Sequence, residues 1–165
     1  MSRTAIIARK LAVARRQPVF VLLWLAPAWA LIGLSSAVIA LLPFRRIAPW
    51  LGVNLGATAH RPAATPQQIA RARLIGRTVS IAASYAPFRS NCLPQAMAAK
   101  ALCALWRVPC AIIFGIERER PTGELTAHAW TSCGDAVPTG GAHCFATHVP
   151  LSCFVPADEA ARVQR

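Results

Sequence analysis

Hydrophobic and polar positions change their rhythm several times along this chain. Val19 to Leu42, VFVLLWLAPAWALIGLSSAVIALL, holds no charged residue and is long enough to cross a bilayer. Before it, Arg3, Arg9, Lys10, Arg15 and Arg16 alternate with Ile6, Ile7, Leu11 and Val13, the pattern of a basic amphipathic helix that Gln17-Pro18 stops. Leu51 to Ala64 is rich in Gly, Pro and Ala and reads as a linker. Thr65-Pro66-Gln67-Gln68 then starts a helix with a capping box and Pro at its first position. That helix runs to about Ala83, with Ile69, Ala72, Gly76, Val79 and Ala83 on one face and Arg71, Arg73 and Arg77 mostly off it. A further helix opens at Ser90-Asn91-Cys92, with Ser90 or Asn91 as its cap and Leu93, Met97, Ala101 and Leu105 along one face.

From Cys110 the period falls to two. Ile112, Phe114 and Ile116 share one face of a strand, and Ala111, Ile113 and Gly115 the other. Residues 118–124, RERPTGE, form a hairpin loop, and LTAHAWTS returns with His128 and Trp130 on one face and Ala127 and Ala129 on the other. Cys133-Gly134-Asp135 is a turn, Ala136 to Pro138 begins a third short strand, Phe145 to Phe154 reads as a closing strand pair, and the tail from Ala157 as frayed. The expected fold class is α+β: N-terminal helices, then a helix packed on a small antiparallel sheet.

One cysteine and one histidine stand where nucleophilic chemistry needs them. Cys92 is at or beside the first helical residue, where unpaired N–H groups and the positive dipole end stabilise a thiolate. His128 lies mid-strand on the sheet that this helix covers, so the two can meet as nucleophile and base. The plainer reading makes Cys92 a small buried hydrophobe and His128 a packed residue with one satisfied nitrogen.

A set of short motifs adds to this pair: Cys92-Leu93-Pro94-Gln95-Ala96, Arg107-Val108-Pro109, Gly115-Ile116, Ala127-His128-Ala129-Trp130 and Thr139-Gly140-Gly141, with Leu42-Pro43-Phe44-Arg45-Arg46 and Trp50-Leu51-Gly52 ahead of them. In this order the chain resembles the transglutaminase-like cysteine peptidases of lasso-peptide biosynthesis, from about Leu41 to Phe154. The resemblance implies a transglutaminase/papain-like fold and removal of the leader from a ribosomally made precursor peptide. Cys92 would be the nucleophile, His128 the base and Asp135 the acid that orients the imidazole. In some relatives the acid lies further along, where this chain has Thr139-Gly140-Gly141, so a Cys–His dyad without an acid stays open. The implied partners are the precursor, a separate leader-binding protein and an ATP-dependent lasso cyclase. Residues 1–50 form a basic and hydrophobic helical region and 51–165 the peptidase domain. The resemblance also favours a buried or membrane-surface helix over Val19 to Leu42 rather than a true span. A transglutaminase-like acyltransferase and a non-catalytic membrane-associated scaffold are the competing functions.

Charge and cysteine content narrow the setting. The net charge is +12, and the first 116 residues contain no Asp or Glu. Such a field draws anions: an acidic partner, an acidic leader segment or an anionic membrane. No nucleic-acid motif is present and the cations are not interleaved with aromatics, so nucleic acid is not expected. The six cysteines form no C-x-x-C, and Cys133, His143, Cys144, His148 and Cys153 match no common zinc spacing, so no cofactor is expected. His143 and His148 read as surface residues of the last strands. A nucleophilic thiol calls for a reducing compartment, the cytoplasm, where association with the inner membrane face stays open.

Overall fold

A computed structural model describes residues 17–117 and 126–164. The basic helix expected over Met1 to Arg16 and the RERPTGE loop lie outside them. In chain order the elements are α1 (Val19–Leu41), α2 (Phe44–Ile47), a 3-10 turn (Ala48–Leu51), β1 (Val53–Asn54), α3 (Pro66–Ser84), α4 (Cys92–Leu105), β2 (Ala111–Glu117), β3 (Ala127–Ser132), α5 (Cys144–Thr147), β4 (His148–Val155) and α6 (Ala157–Val163). The four strands make one antiparallel sheet in the order β1-β4-β2-β3, an α+β fold.

The expected capping box starts α3. The Thr65 hydroxyl accepts the Gln68 N–H at 3.3 Å, and the Gln68 side-chain oxygen accepts the Thr65 N–H at 2.9 Å. A cap of this kind stabilises a helix by about 1 kcal/mol. Ala72, Ile75 and Val79 of α3 meet Ala28 and Ile32 of α1 and Ala98, Ala99 and Leu102 of α4 in one buried cluster. The alanines matter because their small side chains allow three helices to approach closely.

Helix α4 departs from the expected pattern. Its buried residues are Pro94, Ala96, Ala98, Ala99, Leu102 and Cys103, whereas Ala101 and Leu105 are exposed. A single stripe was expected, but α4 is wedged between α1 and α3 on one side and β3 on the other, so small side chains are needed on two sides. Asn91 occupies the N-cap position without a side-chain cap bond, and the Ser90 hydroxyl donates instead to the Ala83 carbonyl at 3.2 Å.

Helix α1 is long and apolar enough to cross a membrane by length and composition. It packs on α3 and α4, burying Val21, Ala28, Ile32 and Ser35. Near its start, the Arg71 guanidinium from α3 lies 4.6 Å from the Phe20 ring and 4.3 Å from the Trp106 ring.

The sheet has two distinct faces. Ile112, Phe114, Ala129 and Phe154 pack on Ile47, Leu51 and the first half of α4. Ala111, Ile113, Trp130, Cys153 and Val155 pack with Cys144, Phe145 and Ala160 on the opposite side. Three expectations for the C-terminal part are corrected here. Ala136 to Pro138 forms no strand beyond a single Cys133–Ala136 bridge. In place of a closing strand pair, α5 leads into the single strand β4, which pairs with both β1 and β2. The tail forms α6, fixed by burial of Ala160 and by Glu159, which accepts from His60 Nε2 at 2.8 Å. The expected linker is likewise fastened: the Ser132 hydroxyl donates to the His60 carbonyl at 2.9 Å and the Gly134 N–H to the Pro62 carbonyl at 2.8 Å.

Candidate active site

All six cysteines are free thiols, and five are buried; Cys92 alone is partly accessible. It is the first residue of α4, at the end where backbone N–H groups lack helical partners. It lines a surface cavity of about 310 Å³ with Ser36, Ile39, Arg89, Asn91 and Leu93, so the end of α1 forms one wall. A larger cavity, about 690 Å³, lies towards the other end of α4 among Gln68, Arg107, Val108 and Arg162 and contains neither Cys92 nor His128. The smaller one is the relevant one, because it holds the accessible sulfur; His128 does not line it.

His128 is half-buried on β3, opposite Gly115 of β2. Its Nε2 lies 3.1 Å from the Gly140 carbonyl. A carbonyl only accepts, so Nε2 carries the proton in the neutral ring and Nδ1 keeps its lone pair. The ring stacks on Trp130, with centroids 6.3 Å apart and planes at 20°, and lies 5.1 Å from the His148 ring. Trp130 is fully buried and fixes this arrangement. Two glycines make room for it. A Cβ at Gly115 would come within 2.8 Å of the indole, and one at Gly140, where φ is +92°, would overlap Trp130 and approach His128 Nε2 to 3.2 Å. The Thr139-Gly140-Gly141 motif thus has a physical reason: only glycine brings that carbonyl to the imidazole.

The helix that starts at Cys92 packs on β3, but among the described residues the structure shows no contact between the side chains of Cys92 and His128. Cross-strand partners share a face, so His128 and Trp130 lie on the side of Gly115 and Ile113, while α4 covers the side of Ala129 and Ile112. No hydrogen bond joins the two side chains among the described residues. However, β3 is the edge strand of the sheet, and the chain after it runs along its free side, with the Thr131 N–H donating to the Thr139 carbonyl at 3.2 Å. Cys92 packs against the cluster containing Ala129, the residue next to His128. Cys144 packs on the Trp130 side of the sheet. Its Sγ donates at 2.8 Å to the same Gly140 carbonyl that His128 uses, and its thiol, pushed up chiefly by burial, is raised further by Cys92.

Asp135 is exposed on the turn beyond the far end of β3, and from His128 to Ser132 alone the strand covers about 13 Å. It makes no hydrogen bond or ion pair among the described residues, and the imidazole is held by Gly140 instead. Cys144 and His148 are the neighbours that sequence reasoning missed, whereas Gly140 belongs to a motif that it singled out. Cys144 sits four residues after Gly140, a spacing that gives no signal until the loop is folded. His148, expected on the surface, is partly buried with its Nδ1 2.8 Å from the Thr147 hydroxyl. Burial lowers its pKa, as does the adjacent His128, with Glu117, its cross-strand partner, acting in the opposite sense. No group of three or more His, Cys, Asp or Glu among the described residues is arranged to hold a metal ion.

A model of the transglutaminase-like superfamily matches residues 38–151. The chain belongs to the transglutaminase-like superfamily. No curated protein and no solved structure matches it. The superfamily includes cysteine peptidases and acyltransferases, and its fold usually carries enzymes. The matched region runs from the end of α1 into β4 and includes Cys92, His128 and Gly140.

Proposed function

We propose that this protein is a cysteine peptidase that removes the leader from a ribosomally made lasso-peptide precursor. The observation that carries the proposal is the singular setting of Cys92: the one accessible thiol, at a helix start, lining a cavity, in a transglutaminase-like chain. The motif order around it supports the lasso-peptide assignment. In the proposed reaction the Cys92 thiolate attacks the carbonyl at the leader–core junction, expelling the amine of the core segment. His128 supplies the proton for that amine, and water then hydrolyses the thioester, returning the thiol and releasing the leader as an acid. The Gly140 carbonyl takes the orienting role first assigned to Asp135. The first-turn N–H groups of α4, beginning with that of Cys92, face the developing oxyanion. The reaction belongs to a reducing compartment, the cytoplasm. A separate leader-binding protein supplies substrate affinity, and an ATP-dependent cyclase takes the product.

The test is incubation of the full chain with a candidate precursor peptide and leader-binding protein, with products weighed by mass spectrometry. The proposal expects leader and core fragments that vanish with Cys92→Ala and persist with Cys144→Ala. A leader joined to an added amine in place of water would assign an acyltransferase. Unchanged turnover with Cys92→Ala would reject Cys92 as the nucleophile.

A further inference from the structure

Helix α1 buries one side against α3 and α4 and leaves the other bare. The bare side carries Val19 and Leu23, each 70% exposed, Leu34 at 62% and Leu41 at 80%, with Leu22 and Trp29 between them. Ala26, Pro27, Ala30, Ala37 and Ala40 fill the remaining exposed positions, so the stripe runs the whole helix, about 34 Å, without a charged residue. A solvated helix of a soluble domain places polar residues on that side. Trp50, 63% exposed, stands beside Leu34 around an apolar depression of about 290 Å³ and extends the surface. Just past the end of α1, Arg45 and Arg46 are exposed.

We infer that this stripe lies in the surface of an anionic lipid bilayer, with α1 parallel to the membrane plane. The in-plane orientation follows from packing. Val21, Ala28, Ile32 and Ser35 hold α1 to α3 and α4 over most of its length, so a perpendicular helix would carry Arg71, Arg73, Arg77 and Lys100 into the hydrocarbon. The choice of occupant follows from charge. Fourteen of the 18 Lys and Arg residues, and no carboxylate, lie in the first 116 residues. A second copy docked stripe to stripe would bring two such surfaces together, which like-charge repulsion opposes. A bilayer containing acidic lipids supplies both an apolar layer for the leucines and phosphates for the arginines, and Trp29 and Trp50 suit the boundary between them. Ser36 and Ile39 of the same helix line the Cys92 cavity, so a chain seated this way holds that cavity at the lipid surface. The inference does not depend on the peptidase reading.

Flotation of the purified full chain with vesicles tests it, using phosphatidylcholine alone or phosphatidylcholine with phosphatidylglycerol. The variant is Leu23→Gln/Leu34→Gln/Leu41→Gln, which leaves the charge unchanged at three exposed positions, and its thermal melt confirms the fold. Wild type should float with the mixed vesicles and about tenfold less with the neutral ones, and the triple variant should bind the mixed vesicles about tenfold more weakly. Equal flotation of variant and wild type would overturn the inference by showing charge alone at work. Equal flotation with both vesicles would remove the acidic lipid. A wild-type dimer that fails to float and is split by the triple variant would assign the stripe to a second copy. Retention of the wild type in membranes through carbonate extraction would replace the in-plane helix by a span.

Discussion

The two ends of α4 place the same side chain in opposite environments. At the N-terminal end Cys92 is partly accessible, touches a cavity and faces unfilled backbone N–H groups. Towards the other end Cys103 is fully buried with Cys110 and Cys133, its thiol raised by a hydrogen bond with Cys110 and by burial. Burial also pushes Cys133 up to about 12. Between the ends, Lys100 donates to the Cys110 and Phe154 carbonyls at 3.0 and 3.3 Å, its pKa lowered by burial. Thiols that are raised and enclosed are packing residues, whereas an accessible sulfur at a helix start can react. The difference comes from position along one helix and not from residue type.

The largest expected effect comes from removing the reactive end. Cys92→Ala should lower precursor cleavage by about a thousandfold or more while leaving the melting temperature nearly unchanged. The support beneath His128 comes next. Trp130→Ala should cost about 3–5 kcal/mol in denaturant unfolding, because a fully buried indole is lost. At the packing end, Cys103→Ser should cost about 1–3 kcal/mol and leave the proposed cleavage by the folded protein alone, since a hydroxyl is buried in an apolar cluster. Asp135→Asn should change turnover by no more than about twofold, because this carboxylate is exposed and unbonded, outside the range that a removed catalytic group spans. The smallest effect concerns His148. Its folded pKa lies below the ordinary 6.5, so the unfolded chain takes up its proton first as pH falls. Stability from this residue is therefore intact above about pH 6.5 and declines below it, and melting curves of His148→Gln should show a weaker acid decline than wild type.

Local chemistry was legible in the sequence, and through-space assembly was not. The Thr65–Gln68 capping box, the alternation of Ile112, Phe114 and Ile116, and the helix that opens at Cys92 all depend on neighbours a few residues away, and each is present. The exposed positions of α4 were misjudged because burial on two sides obeys no single stripe. The α6 helix was missed because the burial of Glu159 depends on His60, 99 residues earlier. The candidate site divides in the same way. Cys92 and His128 stand out as residue types in particular elements. Gly140 and Cys144 matter only because a loop returns along the free edge of β3, and no periodicity encodes that return. Asp135 was drawn in by sequence proximity, which the length of β3 cancels.

The proposed reaction requires His128 to activate the sulfur of Cys92. Iodoacetamide alkylation of the native protein, followed by peptide mass mapping, tests this requirement most directly. Cys92 should be modified first, and His128→Ala should slow its modification while Asp135→Asn leaves the rate in place. First modification at Cys144 or any other cysteine, or a Cys92 rate indifferent to His128→Ala, would contradict the proposal.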